Sequence, residues 1–187
     1  MRLFVGIPLA AAVIDEFSAV SAQLRSGGDG LRWMTRESWH ITLQFLGNTG
    51  PEQYESLVAR LRELRLPAVP IEIERLGLID RAGIVIAAVR PAPELLLLQE
   101  RITAATRRCG FIPEARPYQP HITLARGKGP RQSLDALKAK ISRQAKFTRS
   151  AAKEFVLYES FLSSAGSRYE IRERFALDGR LETGGTA

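Results

Sequence analysis

Cysteine is almost missing. Cys109 is the single one in 187 residues, so an internal disulfide framework and a cysteine-rich metal site are both excluded. That usage suits a reducing compartment, and the cytoplasm is the expected location. Long apolar runs are missing too: Leu95 to Leu98 is bracketed by charge and falls far short of the ~20 residues that a membrane-spanning helix needs. Leu3 to Ile14 is broken by Gly6 and Pro8 and followed at once by Asp15 and Glu16, so it reads as a strand entering a helix and not as a leader. No attachment to lipid is expected. There is no Gly-x-Ser-x-Gly elbow for a serine nucleophile, and Gly27-Gly28-Asp29-Gly30 lacks the lysine and hydroxyl residue of a phosphate-cradling loop, so it reads as a turn. Cys109 follows Arg107 and Arg108 at a helix end and is read as structural. Histidine is scarce: there are two. Two fall short of the three or four ligands of a zinc site, and no metal is expected.

Those two histidines stand in the same four-residue phrase, His40-Ile41-Thr42-Leu43 and His121-Ile122-Thr123-Leu124. Each phrase alternates polar and apolar, the period of a strand, so His and Thr share one face while Ile and Leu pack on the other. Histidine titrates near neutrality, so two of them at matching places in a duplicated unit make an acid and base pair. Thr42 and Thr123 suit a strand by propensity alone, yet on the same face as a histidine each hydroxyl can also donate to a bound oxygen. Arg126, at the end of the second motif strand, can curl over the same cleft and fork onto two phosphate oxygens; the equivalent place in the first half holds Phe45. Trp33, Trp39, Phe111 and Tyr118 are candidates for stacking a base, with core packing as the alternative for each.

The charge is uneven. From Arg107 to Arg149 stand 11 Lys and Arg against Glu114 and Asp135, while the rest holds 16 basic and 18 acidic residues, so the net +7 surrounds the second motif. A basic region beside a histidine pair attracts polyanions, and RNA or another phosphate ester is the expected partner; a merely solubilising surface is the alternative.

Along the chain, strands are expected at 2–7, near 31–34, at 39–46, over 71–79 with a return at 84–89, at 120–126, and in a hairpin over 153–177. Helices are expected from Pro8, Pro51, Pro93 and Arg131, with Leu134, Leu137 and Ile141 inward in the last. The parts run helix, motif strand, helix, hairpin in each half, and the two histidines lie 81 residues apart, which indicates an internal duplication over 9–90 and 93–178. Two similar lobes about a pseudo-twofold axis would place the two His and Thr faces opposite each other across a cleft. Residues 1–178 are read as one bilobal domain, and 179–187 as a disordered tail. A monomer is expected.

The segments WHITLQFLG and PHITLARG, together with RLFVGIPL and FVLYESFLSSAGSRYE, resemble the two-histidine (2H) phosphoesterases, in particular the bacterial and archaeal RNA 2′,3′-cyclic phosphodiesterases once described as 2′-5′ RNA ligases. The resemblance covers nearly the whole chain. It implies an α+β, bilobal fold with antiparallel sheets around a central cleft and helices outside. It also implies hydrolysis of an RNA 2′,3′-cyclic phosphate end to a 2′-phosphomonoester without metal or other cofactor. On that pattern His40 donates a proton to the departing 3′ oxygen, His121 accepts one from water, and Thr42, Thr123 and Arg126 hold the phosphate. Three alternatives stand beside it: 2′-5′ RNA ligation by the reverse chemistry, a non-catalytic RNA-end-binding module, and a phosphodiesterase of small nucleotides.

Overall fold

The computed structural model describes residues 1–26, 30–79, 83–127, 135–141, 147–163 and 166–179. Two four-stranded antiparallel sheets form its frame. The first contains β1 (Arg2–Pro8), β3 (His40–Asn48), β9 (Glu154–Ser163) and β10 (Gly166–Ala176) in the order β10-β9-β1-β3. The second contains β2 (Leu31–Trp33), β5 (Ile73–Ile79), β6 (Ile84–Val89) and β7 (His121–Gly127) in the order β2-β7-β6-β5. Four helices, α1 (Ala11–Leu24), α2 (Pro51–Arg62), α3 (Pro93–Arg107) and α4 (Asp135–Ile141), complete an α+β fold of the expected kind. None is long and apolar enough to cross a membrane.

Local chemistry accounts for the elements. Proline occupies the first turn of α2 and of α3, where its missing N–H costs nothing. Gly110 (φ 82°) reverses the chain after α3, and the Phe111 amide donates back to the Thr106 carbonyl. Phe17, Leu57, Leu61, Leu95, Leu98 and Ile102 are fully buried on the inner stripes of the first three helices, and Ile41, Leu43, Ile122 and Leu124 meet them from the sheets in one continuous core. Each such side chain contributes about 1.5–3 kcal/mol of burial.

The two halves do not fold as two separate sheets. The β5–β6 hairpin, which follows the first motif, joins the sheet of the second motif, whereas β9–β10 completes the sheet of the first. β1 and β6 hold matching places, since His40 faces Pro8 and Thr42 faces Gly6 while His121 faces Ala88 and Thr123 faces Ile86. In each sheet the strand paired with the motif strand stands ahead of a helix in the chain, β1 before α1 and β6 before α3. Two short strands absent from the sequence reading, β4 (Val69–Ile71) and β8 (Ser150–Ala152), pair only with each other. Pro70 faces Ala151, and the two lie 81 residues apart, the spacing of the two histidines. Gly27 and Gly28, most of the Asp80–Gly83 turn, the start of the fourth helix with Arg131 and Leu134, and the tail after 179 lie outside the described residues.

Candidate active site

The alternation is as the motifs demand: Ile41, Leu43, Ile122 and Leu124 are buried, and His40, Thr42, His121 and Thr123 are only partly buried on the opposite face. Residues of β3 and β7 approach within 8 Å of each other, Cα to Cα. The Tyr118 hydroxyl, in the loop ahead of β7, donates to the Thr42 carbonyl (3.1 Å) and ties that loop to β3.

Both imidazoles are anchored in one way. His40 Nδ1 lies 2.8 Å from the Ser38 carbonyl, and His121 Nδ1 lies 2.8 Å from the Gln119 carbonyl, each acceptor two residues upstream. A carbonyl only accepts, so Nδ1 carries the proton and Nε2 is left for chemistry. His40 Nε2 is 3.1 Å from Thr42 Oγ1. The two histidines thus share a tautomer as well as a place in the motif.

A bulge found in both motif strands sets the facing of Arg126. Five residues after His121, strict alternation would turn it to the buried face. Instead β7 carries a bulge at Leu124, where Val85 pairs with Ala125 and Ile86 with Thr123; β3 carries the same bulge at Leu43, where Val5 pairs with Gln44 and Gly6 with Thr42. Two successive residues then point inward, and the next returns to the His and Thr face. Arg126 is therefore exposed on that face, as is Phe45 (54% exposed). The inward turn buries Gln44, whose Oε1 accepts from Thr106 Oγ1 (2.9 Å).

The two walls differ in chemistry. On the first sheet, His40 sits among aromatic rings: Phe4 (centroids 4.7 Å), Tyr169 edge-on (5.2 Å) and Tyr158 (5.3 Å), with Phe45 beyond Phe4. Burial holds the His40 pKa down at about 4; the Ser38 carbonyl works against this, and the charges of Arg126 and His121 add to it. Both groups are thus close enough to act on the His40 ring. Burial also pushes the Tyr158 hydroxyl up to about 12. The second wall carries His121, Thr123 and Arg126.

Two outcomes follow from this wall. A Cβ on Gly6 would come within 2.9 Å of the Ile41 carbonyl and 3.4 Å of His40 Cδ2. Gly6→Ala is expected to destabilise the protein by about 1–3 kcal/mol through overpacking, and to displace His40, read by thermal unfolding and by turnover. The second outcome concerns pH. Because the His40 pKa is lower in the folded chain, its contribution to stability is intact above pH ~6.5 and is lost as pH falls toward about 4. His40→Gln should flatten that part of the stability profile.

Among the aromatics named from sequence, Trp39 and Phe111 are buried in the core, Tyr118 is tied to β3, and Trp33 packs under the Arg25 guanidinium (5.6 Å). The rings that reach the His40 face are Phe4, Phe45, Tyr158 and Tyr169, which sequence reasoning missed. The available signal was Phe45 at the counterpart of Arg126. Cys109 is half-buried beside Ser56 Oγ (3.4 Å), away from the histidines in its contacts. Of the basic region, Lys128, Arg131, Arg143 and Lys146 lie outside the described residues. Among the described residues no group of three or more His, Cys, Asp and Glu is placed to hold a metal ion.

Comparison with known proteins adds family context. The model of the 2′-5′ RNA ligase superfamily matches residues 9–160. A protein of Archaeoglobus fulgidus named RNA 2′,3′-cyclic phosphodiesterase is 27% identical over 173 residues, covering 91% of this chain and 97% of its own. One of the same name from Escherichia coli K12 is 29% identical over 178 residues, covering 94% and 96%. Among solved structures, Escherichia coli LigT superposes with a TM-score of 0.79 at 26% identity in its apo form, over 95% of this chain and 97% of that one. Its complex with 3′-AMP gives the same score over 94% and 97%.

Proposed function

The chain belongs to the 2′-5′ RNA ligase superfamily, the two-histidine phosphoesterases, and we propose that it is an RNA 2′,3′-cyclic phosphodiesterase that opens the cyclic end to a 2′-phosphomonoester. The observation that carries this reading is the pair of imidazoles on neighbouring strands, each with Nδ1 held by a carbonyl, which leaves Nε2 as the nitrogen that exchanges a proton. His121 takes a proton from water as the water oxygen bonds to phosphorus. The bond from phosphorus to O3′ breaks, and His40 gives its Nε2 proton to that oxygen. Thr42, Thr123 and Arg126 hold the non-bridging oxygens, where negative charge grows.

As the acid, His40 needs a second proton, and burial of the ring opposes it. A bound phosphodiester offsets the charge of Arg126 and so supports the His40 imidazolium. No metal takes part in this scheme, and the RNA end is its only partner. The test is to incubate the protein with EDTA and an RNA ending in a 2′,3′-cyclic phosphate, then locate the phosphate in the product. Full turnover to the 2′-phosphate is expected. Loss of turnover in EDTA would remove the metal-free scheme, and a 3′-phosphate product would reverse the regiochemistry. Joined chains in the same assay would favour 2′-5′ ligation.

A further inference from the structure

The basic wall does not end at Arg126. In the β2–β7 pair Arg32 stands directly opposite it, so both side chains leave the face that carries His121 and Thr123, and both are exposed. Like charges directly opposite each other weaken a strand pair, and a carboxylate neighbour is the usual relief. Elsewhere this chain supplies one: Arg36 binds Asp15 (2.6 Å), Arg62 binds Glu173 (2.9 Å), and Arg90 reaches Glu72 (3.3 Å) and Glu74 (3.5 Å). Among the described residues no carboxylate forms an ion pair with Arg32 or Arg126. Arg32 also touches the other sheet. A Cβ on Gly166, the first residue of β10, would meet its Nη1 at 3.7 Å and its Cζ at 3.8 Å, so the guanidinium lies along the glycine backbone at the base of the β9–β10 turn. A glycine there (φ 134°) leaves room for that approach.

We propose that Arg32 is a specificity-determining residue, which grips the phosphodiester one nucleotide upstream of the cyclic end. It deepens the phosphodiesterase reading and rests on it. The histidines set where the reacting phosphate lies, and Arg126 reaches back toward it from the end of β7. Arg32 stands one strand farther out, about 4.8 Å across the sheet. An anion there relieves the repulsion between the two guanidiniums, and the next group of that charge along an RNA chain is the following phosphate. A lone cyclic nucleotide has nothing to offer this position. The first motif strand carries exposed Phe45, a surface on which a base can stack.

The experiment compares uridine 2′,3′-cyclic phosphate with the dinucleotide UpU ending in the same group, for the wild type, Arg32→Ala and Arg32→Lys. The ratio of kcat/KM for dinucleotide over mononucleotide is expected to fall about tenfold or more in Arg32→Ala, with partial recovery in Arg32→Lys. The slope of log kcat/KM for UpU against log salt should become shallower by about 0.7, the loss of one phosphate contact to a single strand. The Tm of Arg32→Ala should not fall, because a repulsion has been removed; a purely structural residue would lower it. An unchanged ratio overturns the proposal, whether both substrates suffer equally or neither does. If the wild type turns over neither substrate, the phosphodiesterase reading fails. Calorimetric binding of UpU carrying a 2′-phosphate, wild type against Arg32→Ala, then decides the subsite by itself: tighter binding by the wild type supports it, and equal binding overturns it.

Discussion

Replacing either histidine with alanine is expected to lower kcat on an RNA ending in a 2′,3′-cyclic phosphate by roughly 10² to 10⁴, the usual worth of one general acid or base step. His121→Ala is the cleaner experiment. That ring is partly exposed and its Nδ1 is held by the Gln119 carbonyl, so its loss leaves the core as it is, and far-UV circular dichroism should be unchanged. His40→Ala empties a position lined by Phe4, Tyr158 and Tyr169, so His40→Gln is the better partner variant. The wild-type profile of kcat/KM against pH should be bell-shaped, and each single substitution should remove one limb. A His121→Ala protein working at the wild-type rate would end the acid and base assignment.

Arg126→Ala is expected to cost about 10² to 10³ in kcat, the range found when one preorganised donor to a developing negative charge is removed. The same substitution carries a second signature. Arg126 helps to hold the His40 pKa down at about 4, so its removal lets that pKa rise, although burial, the larger cause, still keeps it below 6.5. The limb of kcat/KM that titrates with His40 therefore moves to higher pH. Arg126→Lys keeps the charge and loses the fork, so it should restore the position of that limb while recovering only part of kcat. A rate loss with no movement of either limb would mean that Arg126 acts away from His40.

The topology shows where pattern reading stops. Each hairpin was legible from its own alternation, but which sheet it joins was not, because an antiparallel edge accepts any strand of suitable length and facing. β5–β6 and β9–β10 exchange places between the two motif sheets, and β4 pairs with β8 rather than with either. Three-residue strands such as Val69–Ile71 are too short to show a period. Arg126 shows the same limit at the site. Its distance along the chain was visible, but its facing depends on a bulge at Leu124, which appears only in the pairing of β7 with β6.

What the amino-acid order determined by itself was local and periodic: the strand-forming motif, its repetition 81 residues later, the side shared by each His and Thr, and the basic surplus around the second copy. These survive any arrangement of the rest, since a period of two and a duplicated phrase are properties of neighbours in the chain. Tertiary structure alone decided that aromatic rings from β1, β9 and β10 gather on His40, that Arg32 comes to stand opposite Arg126, and that two chemically alike histidines meet unlike surroundings. Desolvation and charge act through space, and the residues that exert them on His40 are brought there by strand pairing from distant parts of the chain.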